Sequence, residues 1–479
     1  MTDSLQSPSD GPPSRRQFVK SAGALMGLSV LSPSAVARSS SPTRDADPDM
    51  PVTIQRVNAS FEREPLADPF GFKGGYLTEL WQTVALMEGP SGAAPVGLGT
   101  QSVLWADPSV FAAHSESGGN ALMFALTDRA LQMAEGRSFE TPIDLVDDLL
   151  EEVHEYGKTL TGDPELRVTF ALNAMVAVDN AAWLLYAAER GIEDFDALIP
   201  PPYRPALSHR HDKVASIPTF GYGASMEAIQ TTVDEGYYFL KIKLGQPGPQ
   251  EEMLEKDKRR LTAIHDAIGE RRTPYTESGR LAYYLDANGR YEDPDTLRRL
   301  LDHARAIGAH DQIVIVEEPF PEGTTADVSG LGVRVAADES ASTAREARRM
   351  IDLGYGAIAL KPIAKTLSMT LKIARAAHEN NVPCFCADLT VNPVLVDWNK
   401  TIAARLSPFP GFKTGLMETN GHQFYAHWDQ MQGYHPCPDA PWGQATDGVF
   451  SLGESFYERD GCILDSPDHY RRLVTPEGA

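Results

Sequence analysis

The chain has 479 residues, enough for two domains or for one large barrel with a smaller companion. A hydrophobic content of 42% and a charged content of 23% are those of a soluble globular protein, and a net charge of −23 argues against nucleic acid or an anionic membrane as a partner. The four cysteines, Cys384, Cys386, Cys437 and Cys462, have no zinc-ligand spacing, and free core thiols are the expectation for most of them.

Near the start, Ser14-Arg15-Arg16-Gln17-Phe18-Val19-Lys20 precedes a weakly apolar run from Ser21 to Leu31 and a small-x-small site at Ala35-Val36-Ala37. This order resembles a twin-arginine export signal. It predicts a removable segment over 1–37, a linker over 38–50, and a periplasmic or otherwise exported protein delivered by the twin-arginine machinery. The apolar run is too short to span a bilayer, and no later segment is long and apolar enough, so no membrane is expected for the mature form.

Residues 51–213 read as a first domain. Val52 to Val57 and Tyr76 to Met87 read as strands, the second with Leu80, Val84 and Leu86 on one face. Gly89-Pro90-Ser91-Gly92 is a turn signal, and a further strand is expected to about Trp105. Thr141-Pro142 starts a helix to about Tyr156, and Leu166 to Arg190 reads as one long buried helix. Strands followed by helices suggest a separate α+β unit.

From about 214 to 420 strands and helices alternate. Strands are expected at Val214–Phe220, Phe239–Lys243, Leu281–Leu285, Ile313–Val316, Val333–Ala337, Ala357–Leu360, Val382–Ala387 and Lys413–Met417, most of them followed by a helix. Eight such units predict parallel strands closing into a (β/α)8 barrel; no G-x-G-x-x-G follows any strand to support the open-sheet rival. Lys243, Asp286, Glu317, Asp338 and Lys361 each fall at a strand's C-terminal end, the rim where a barrel places its chemistry.

Asp286, Glu317 and Asp338 form an all-oxygen set without His or Cys, which favours Mg²⁺ before Mn²⁺. Lys241 and Lys243, two residues apart on one strand, share a face. A cation flanked by lysine-bearing strands suggests removal of a proton next to a substrate carboxylate, with the metal stabilising the enediolate. The base must then be a neutral lysine. An unperturbed lysine has a pKa of about 10.4, and bringing Lys243 to about 7.5–8 takes about 3–4 kcal/mol, which Lys241 as a like charge and partial burial would supply.

Together, Lys241-x-Lys243, Leu285-Asp286-Ala287-Asn288, Glu317-Glu318-Pro319, Ala337-Asp338-Glu339-Ser340 and Leu360-Lys361-Pro362 resemble the enolase superfamily, in the pattern of its muconate lactonizing subgroup. The resemblance covers about 52–465. It implies an enolase-type barrel over 214–420, an N-terminal α+β capping domain over 51–213, and a segment over 421–479 that returns to that cap. It implies Asp286, Glu317 and Asp338 as metal ligands and Lys243 and Lys361 as acid/base groups on opposite faces of a small carboxylate substrate. Lys241 would support Lys243, and Glu318 and Glu339 would be neighbours rather than ligands. Asn288, Asp388 and Glu418 are candidate substrate contacts, and the loop around Asp68 to Tyr76 would reach over the barrel mouth. A homo-oligomer is also implied.

The seventh strand, Cys384-Phe385-Cys386-Ala387-Asp388, lacks the His of mandelate racemase, and Glu418-Thr419-Asn420 stands where dipeptide epimerases often carry Asp-x-Asp. The expected activity is racemisation or epimerisation of an amino-acid derivative or dipeptide-like acid. The alternatives are a dehydratase or cycloisomerase on the same scaffold, or an exported binding protein without activity.

Overall fold

The computed structural model describes residues 50–73 and 75–475. The twin-arginine stretch and the linker lie outside the described residues. The N-terminal part is built on a three-stranded antiparallel sheet of β2 (Arg56–Phe72), β3 (Gly75–Glu88) and β4 (Val96–Gln101). A two-stranded ribbon of β1 (Val52–Thr53) and β5 (Ser138–Phe139) stands beside it. The segment expected as a loop at 68–76 is instead the tip of the β2–β3 hairpin, irregular between Pro65 and Phe70 and turning at Lys73. The expected strand to Trp105 ends at Gln101, where a short helix, Val103–Ala106, begins. The helix Pro108–Ala134 has no counterpart in the sequence expectation. It runs through Ser115-Glu116-Ser117-Gly118-Gly119, where Ser115 departs from helical geometry at φ +65°.

The long helix expected over 166–190 is two, Val168–Ala174 and Val176–Arg190, bent by 47°. Among the described residues no single helix is long and apolar enough to cross a membrane. The bent pair is apolar because nearly all of it is buried in the core.

The barrel strands follow in order: β6 (Lys213–Ile217) with β7 (Thr219–Phe220), β8 (Phe239–Lys243), β9 (Ala282–Asp286), β10 (Ile313–Glu317), β11 (Val335–Ala337), β12 (Ala357–Leu360), β13 (Cys384–Cys386) and β14 (Gly415–Glu418). The first expected strand is split at Pro218, which has no N–H to give to a ladder. Its two halves close the ring: β6 pairs with β14 and β7 with β8, all parallel. An added strand, β15 (Val449–Ser451), runs antiparallel to β6. The barrel strands are almost wholly buried, as parallel strands covered by helices must be.

Side-chain caps fix where the barrel helices start. Ser225 accepts from Ala228 N–H, Asp293 from Thr296 N–H and Thr343 from Glu346 N–H. A helix after β13, Pro393–Ala403, is absent from the sequence expectation, although Asn392 caps it by accepting from Leu395 N–H and Pro393 opens its first turn; all eleven of its residues are buried, its polar ones included, so no exposed face marks it.

Past residue 420 the chain packs on the cap sheet. The Tyr425 hydroxyl receives a hydrogen bond from Gln82 Nε2 at 2.8 Å, Asn58 Nδ2 donates to Val474 O at 2.7 Å, and His469 meets Glu62. Cys437 and Cys462 are joined by a disulfide, a correction to the expectation of mostly free thiols; Cys384 and Cys386 are free and buried. His422 is packed between Tyr237 and Trp428, and burial pushes it down to about 4.

Candidate active site

Strand register places the first residues. Lys243 stands opposite Asp286, and Asp286 opposite Glu317, so three neighbouring strands deliver one cation and two anions at one level. Asp338 follows β11 directly, and Lys361 follows β12. Of the eight strand positions in the ring, β8 is the second and β12 the sixth, so Lys243 and Lys361 stand across the barrel from each other. Both line one cavity together with Asp286, Asn288, Asp338, Asp388 and Glu418. Glu317 lies behind that wall and is fully buried.

The contacts divide the charges. Lys241 Nζ lies 3.0 Å from Asp286 Oδ2, 3.2 Å from Glu317 Oε2 and 3.0 Å from Glu418 Oε2. Lys243 Nζ donates to Asp286 Oδ2 at 2.5 Å and to Asn288 Oδ1 at 2.8 Å. Lys361 donates to Asp338 Oδ2 and sits over the Trp105 ring, 4.8 Å from its centroid. Glu418 also accepts from Thr219 Oγ1 at 2.7 Å and from the Asp388 N–H at 3.1 Å, while Asp388 accepts from the Asn420 N–H at 2.8 Å. Glu318 turns away to accept from the N–H groups of Asp338 and Ser340.

Glu339 is closer to the centre than expected. One carboxylate oxygen from each of Glu317, Asp338 and Glu339 lies within 4.8 Å of the others. Neither Glu339 oxygen has a hydrogen-bond partner; its charge is met by Lys73 from the hairpin tip, 2.8 Å away in an ion pair without hydrogen-bond geometry. Lys365, absent from the sequence expectation, is fully buried beneath Asp338. Its signal was its place one helical turn after Lys361.

The surrounding carboxylates hold Lys241 and Lys361 in the charged form. Burial pushes both down, but Asp286, Glu317 and Glu418 outweigh it at Lys241, and Asp338 and Glu339 outweigh it at Lys361, so both stand above the ordinary lysine value. Burial pushes Asp286 up, yet Lys241 and Lys243 hold it at about 2. Glu317, with Lys241 as its one close cation, is pushed up to about 7 by burial, helped by Asp338. Asp388 rises to about 7 through burial and Glu418.

These groups also test the fit of a metal. Asp286, Glu317, Glu318, Asp338, Glu339, Asp388 and Glu418 are seven buried carboxylates, against the five ammoniums of Lys73, Lys241, Lys243, Lys361 and Lys365. The surplus of carboxyl groups over ammoniums, the unpartnered Glu339 oxygens and the all-oxygen donors suit a hard divalent cation.

Residues 224–425 match the enolase C-terminal domain-like family. No curated protein matches the chain. Among solved structures, a mandelate racemase/muconate lactonizing protein from Herpetosiphon aurantiacus is similar at 17% identity and TM-score 0.58, over 85% of this chain and 97% of that one. A dipeptide epimerase from Enterococcus faecalis V583, complexed with Mg and L-Leu-L-Tyr, is similar at 18% identity and TM-score 0.55, over 77% and 90%. An N-succinyl Arg/Lys racemase from Bacillus cereus ATCC 14579 is similar at 16% identity and TM-score 0.55, over 79% and 89%. The fold is the enolase-type (β/α)8 barrel with an N-terminal capping domain, and the family match falls on its barrel part.

Proposed function

We propose that this chain is a Mg²⁺-dependent racemase or epimerase that removes and returns the proton alpha to the carboxylate of an amino-acid derivative or dipeptide-like acid. The observation that carries this reading is the placement of Lys243 and Lys361 on opposite strands of the ring, both reaching one cavity with carboxylates between them. Simple binding needs no opposed bases; inversion of a carbon centre does.

Asp286, Glu317 and Asp338 would hold the cation: Glu317 and Asp338 lie in one cluster with Glu339, and Asp286 stands opposite Glu317 on the next strand. When bound, it supplies positive charge to the substrate carboxylate and to the enediolate that forms from it. Lys243 and Lys361 face opposite sides of the carbon: one, neutral, takes the α-proton from its face, and the other, as an ammonium, gives a proton to the opposite face. Asn288 orients Lys243, and Lys241 binds together the carboxylates behind it. Phe70, Phe72 and Leu77 of the hairpin tip roof the cavity and exclude water from the reacting carbon. Asp388 and Glu418 offer acceptors to a substrate N–H. Export of the protein is part of the proposal; the Cys437–Cys462 disulfide suits an oxidising compartment.

The test is α-proton exchange in D₂O, followed by NMR over a panel of N-acyl amino acids and dipeptides with Mg²⁺. Exchange at the α-carbon is expected with a substrate of the panel and is lost with EDTA. In Lys243→Ala and Lys361→Ala, exchange from one enantiomer is lost in each case, and the enantiomer differs between the two. An elimination product without return of the starting acid would refute the racemase reading.

A further inference from the structure

Asp338 is the acid whose orientation the fold specifies most heavily. Its backbone lies outside the regular helical and extended regions, at φ −117° and ψ −84°, where the chain leaves β11 and enters the short turn Glu339–Ala341. Such a residue needs outside contacts to hold it. Lys365 supplies them. Its ammonium donates to Asp338 O at 2.6 Å, to Asp338 Oδ1 at 3.0 Å and to Ala341 O at 3.3 Å. All three of its hydrogens are thereby committed, and the residue is 0% exposed. Lys361 contrasts with it: one hydrogen goes to Asp338 Oδ2, and the residue lines the cavity.

The two lysines bracket one turn of helix, Pro362–Lys365, with Lys361 at its N-cap and Lys365 as its last residue, and that turn is stopped by Thr366. Thr366 adopts φ +67° and ψ 151°, which a β-branched residue rarely adopts, and its hydroxyl caps the next helix by accepting from Met369 N–H at 3.1 Å. The strain ends the turn directly after Lys365 and fixes Lys361 and Lys365 on the two oxygens of one carboxylate.

We infer that Lys365 is a positioning residue that locks Asp338 by its carbonyl and Oδ1, leaving Oδ2 as the oxygen offered to a divalent cation once Lys361 turns to the substrate. This rests on the reading of Asp338 as a cation ligand. Loss of an outer partner of a metal ligand typically weakens affinity 10–100-fold.

The experiment is Mn²⁺ binding by the purified chain without substrate, with free Mn²⁺ measured by electron paramagnetic resonance. Lys365→Met is expected to raise the Kd about 10–100-fold. Lys400→Met is the control: Lys400 is equally buried and paired with Asp397, but lies outside the site, so its loss perturbs the fold and leaves the Mn²⁺ Kd within about twofold. Unchanged or tighter binding in Lys365→Met overturns the inference, as does an equal weakening in Lys400→Met. If Lys365→Met does not fold, Lys365→Arg keeps the charge with a shape that cannot reach all three acceptors; at least threefold weaker binding supports the inference and none overturns it. Absence of Mn²⁺ binding by the unmodified chain is a different result, which removes the metal reading and the inference with it.

Discussion

Two lysine pairs serve this site, and they are built differently. Lys241 and Lys243 alternate along a strand, so both side chains point to the same side of the sheet. Lys361 and Lys365 are one helical turn apart, so both reach back to the same carboxylate. In each pair one lysine is enclosed among acceptors, Lys241 among three carboxylates and Lys365 beneath Asp338; Lys241 still borders the cavity with Lys243 and Lys361, whereas Lys365 does not. The inner lysine sets charge and orientation, and the outer one is left for proton transfer. The difference teaches that one division of labour can arise from a period of two or a period of four.

The largest expected effect breaks the outer half of both pairs. Lys243→Ala and Lys361→Ala should each lower kcat about 10²–10⁴-fold, the usual contribution of a positioned acid or base, with little change in thermal stability. Next comes the inner half. Lys241→Met leaves Asp286, Glu317 and Glu418 without their shared counter-charge in a fully buried place. Breaking a buried pair in this way costs about 3–5 kcal/mol, measurable by urea denaturation, and millimolar Mg²⁺ should recover part of it. If Lys241→Met were as stable as the parent, the distinction between inner and outer lysines would fail.

Asp179 shows what happens where no lysine is provided. This cap-helix carboxylate is fully buried, accepts from the Ser368 N–H at 3.0 Å and from its hydroxyl at 2.5 Å, and meets no cation. Burial pushes it up to about 7. Its folded value is above its unfolded one, so its contribution to stability is complete at low pH and is lost as pH rises through about 7. Between pH 5 and pH 8 that loss is on the order of 2 kcal/mol. Asp179→Asn should remove this slope, so the variant gains on the parent in melting experiments as pH increases. An equal difference at both pH values would show that the charge is compensated after all.

The barrel was legible because its signals are local. The Lys-x-Lys spacing and the acids at strand ends act within a few residues and stand where the sequence placed them, and the caps at Ser225, Asp293 and Thr343 are equally local. The cap was less legible. The long β2–β3 hairpin contains Pro65, Pro69 and Gly71, which read as a loop, and only pairing across the hairpin makes them strand. The bend at Met175 and the buried helix Pro393–Ala403 likewise depend on neighbours far away in sequence. At the site, Lys365 and Lys73 escaped notice because each is defined by the acid it meets, Asp338 or Glu339, and not by its own surroundings in the chain.

The smallest effect tests the outer lysine of the strand pair alone. Asn288 Oδ1 accepts from Lys243 at 2.8 Å, and its own N–H donates to Asp286 Oδ1 at 3.0 Å. Asn288 sits at φ +44°, a conformation that Asn tolerates and Ala does not, so Asn288→Gly removes the side chain without adding backbone strain. Loss of one hydrogen bond to a charged group is about 1.5 kcal/mol, or roughly tenfold. That loss should appear in kcat for the enantiomer that uses Lys243. Turnover of the enantiomer that uses Lys361 should hold, since Lys361 rests on Asp338 and Trp105 instead. An equal loss for both enantiomers would mean that the two outer lysines are not independently oriented, since the backbone hydrogen bond to Asp286 survives in Asn288→Gly.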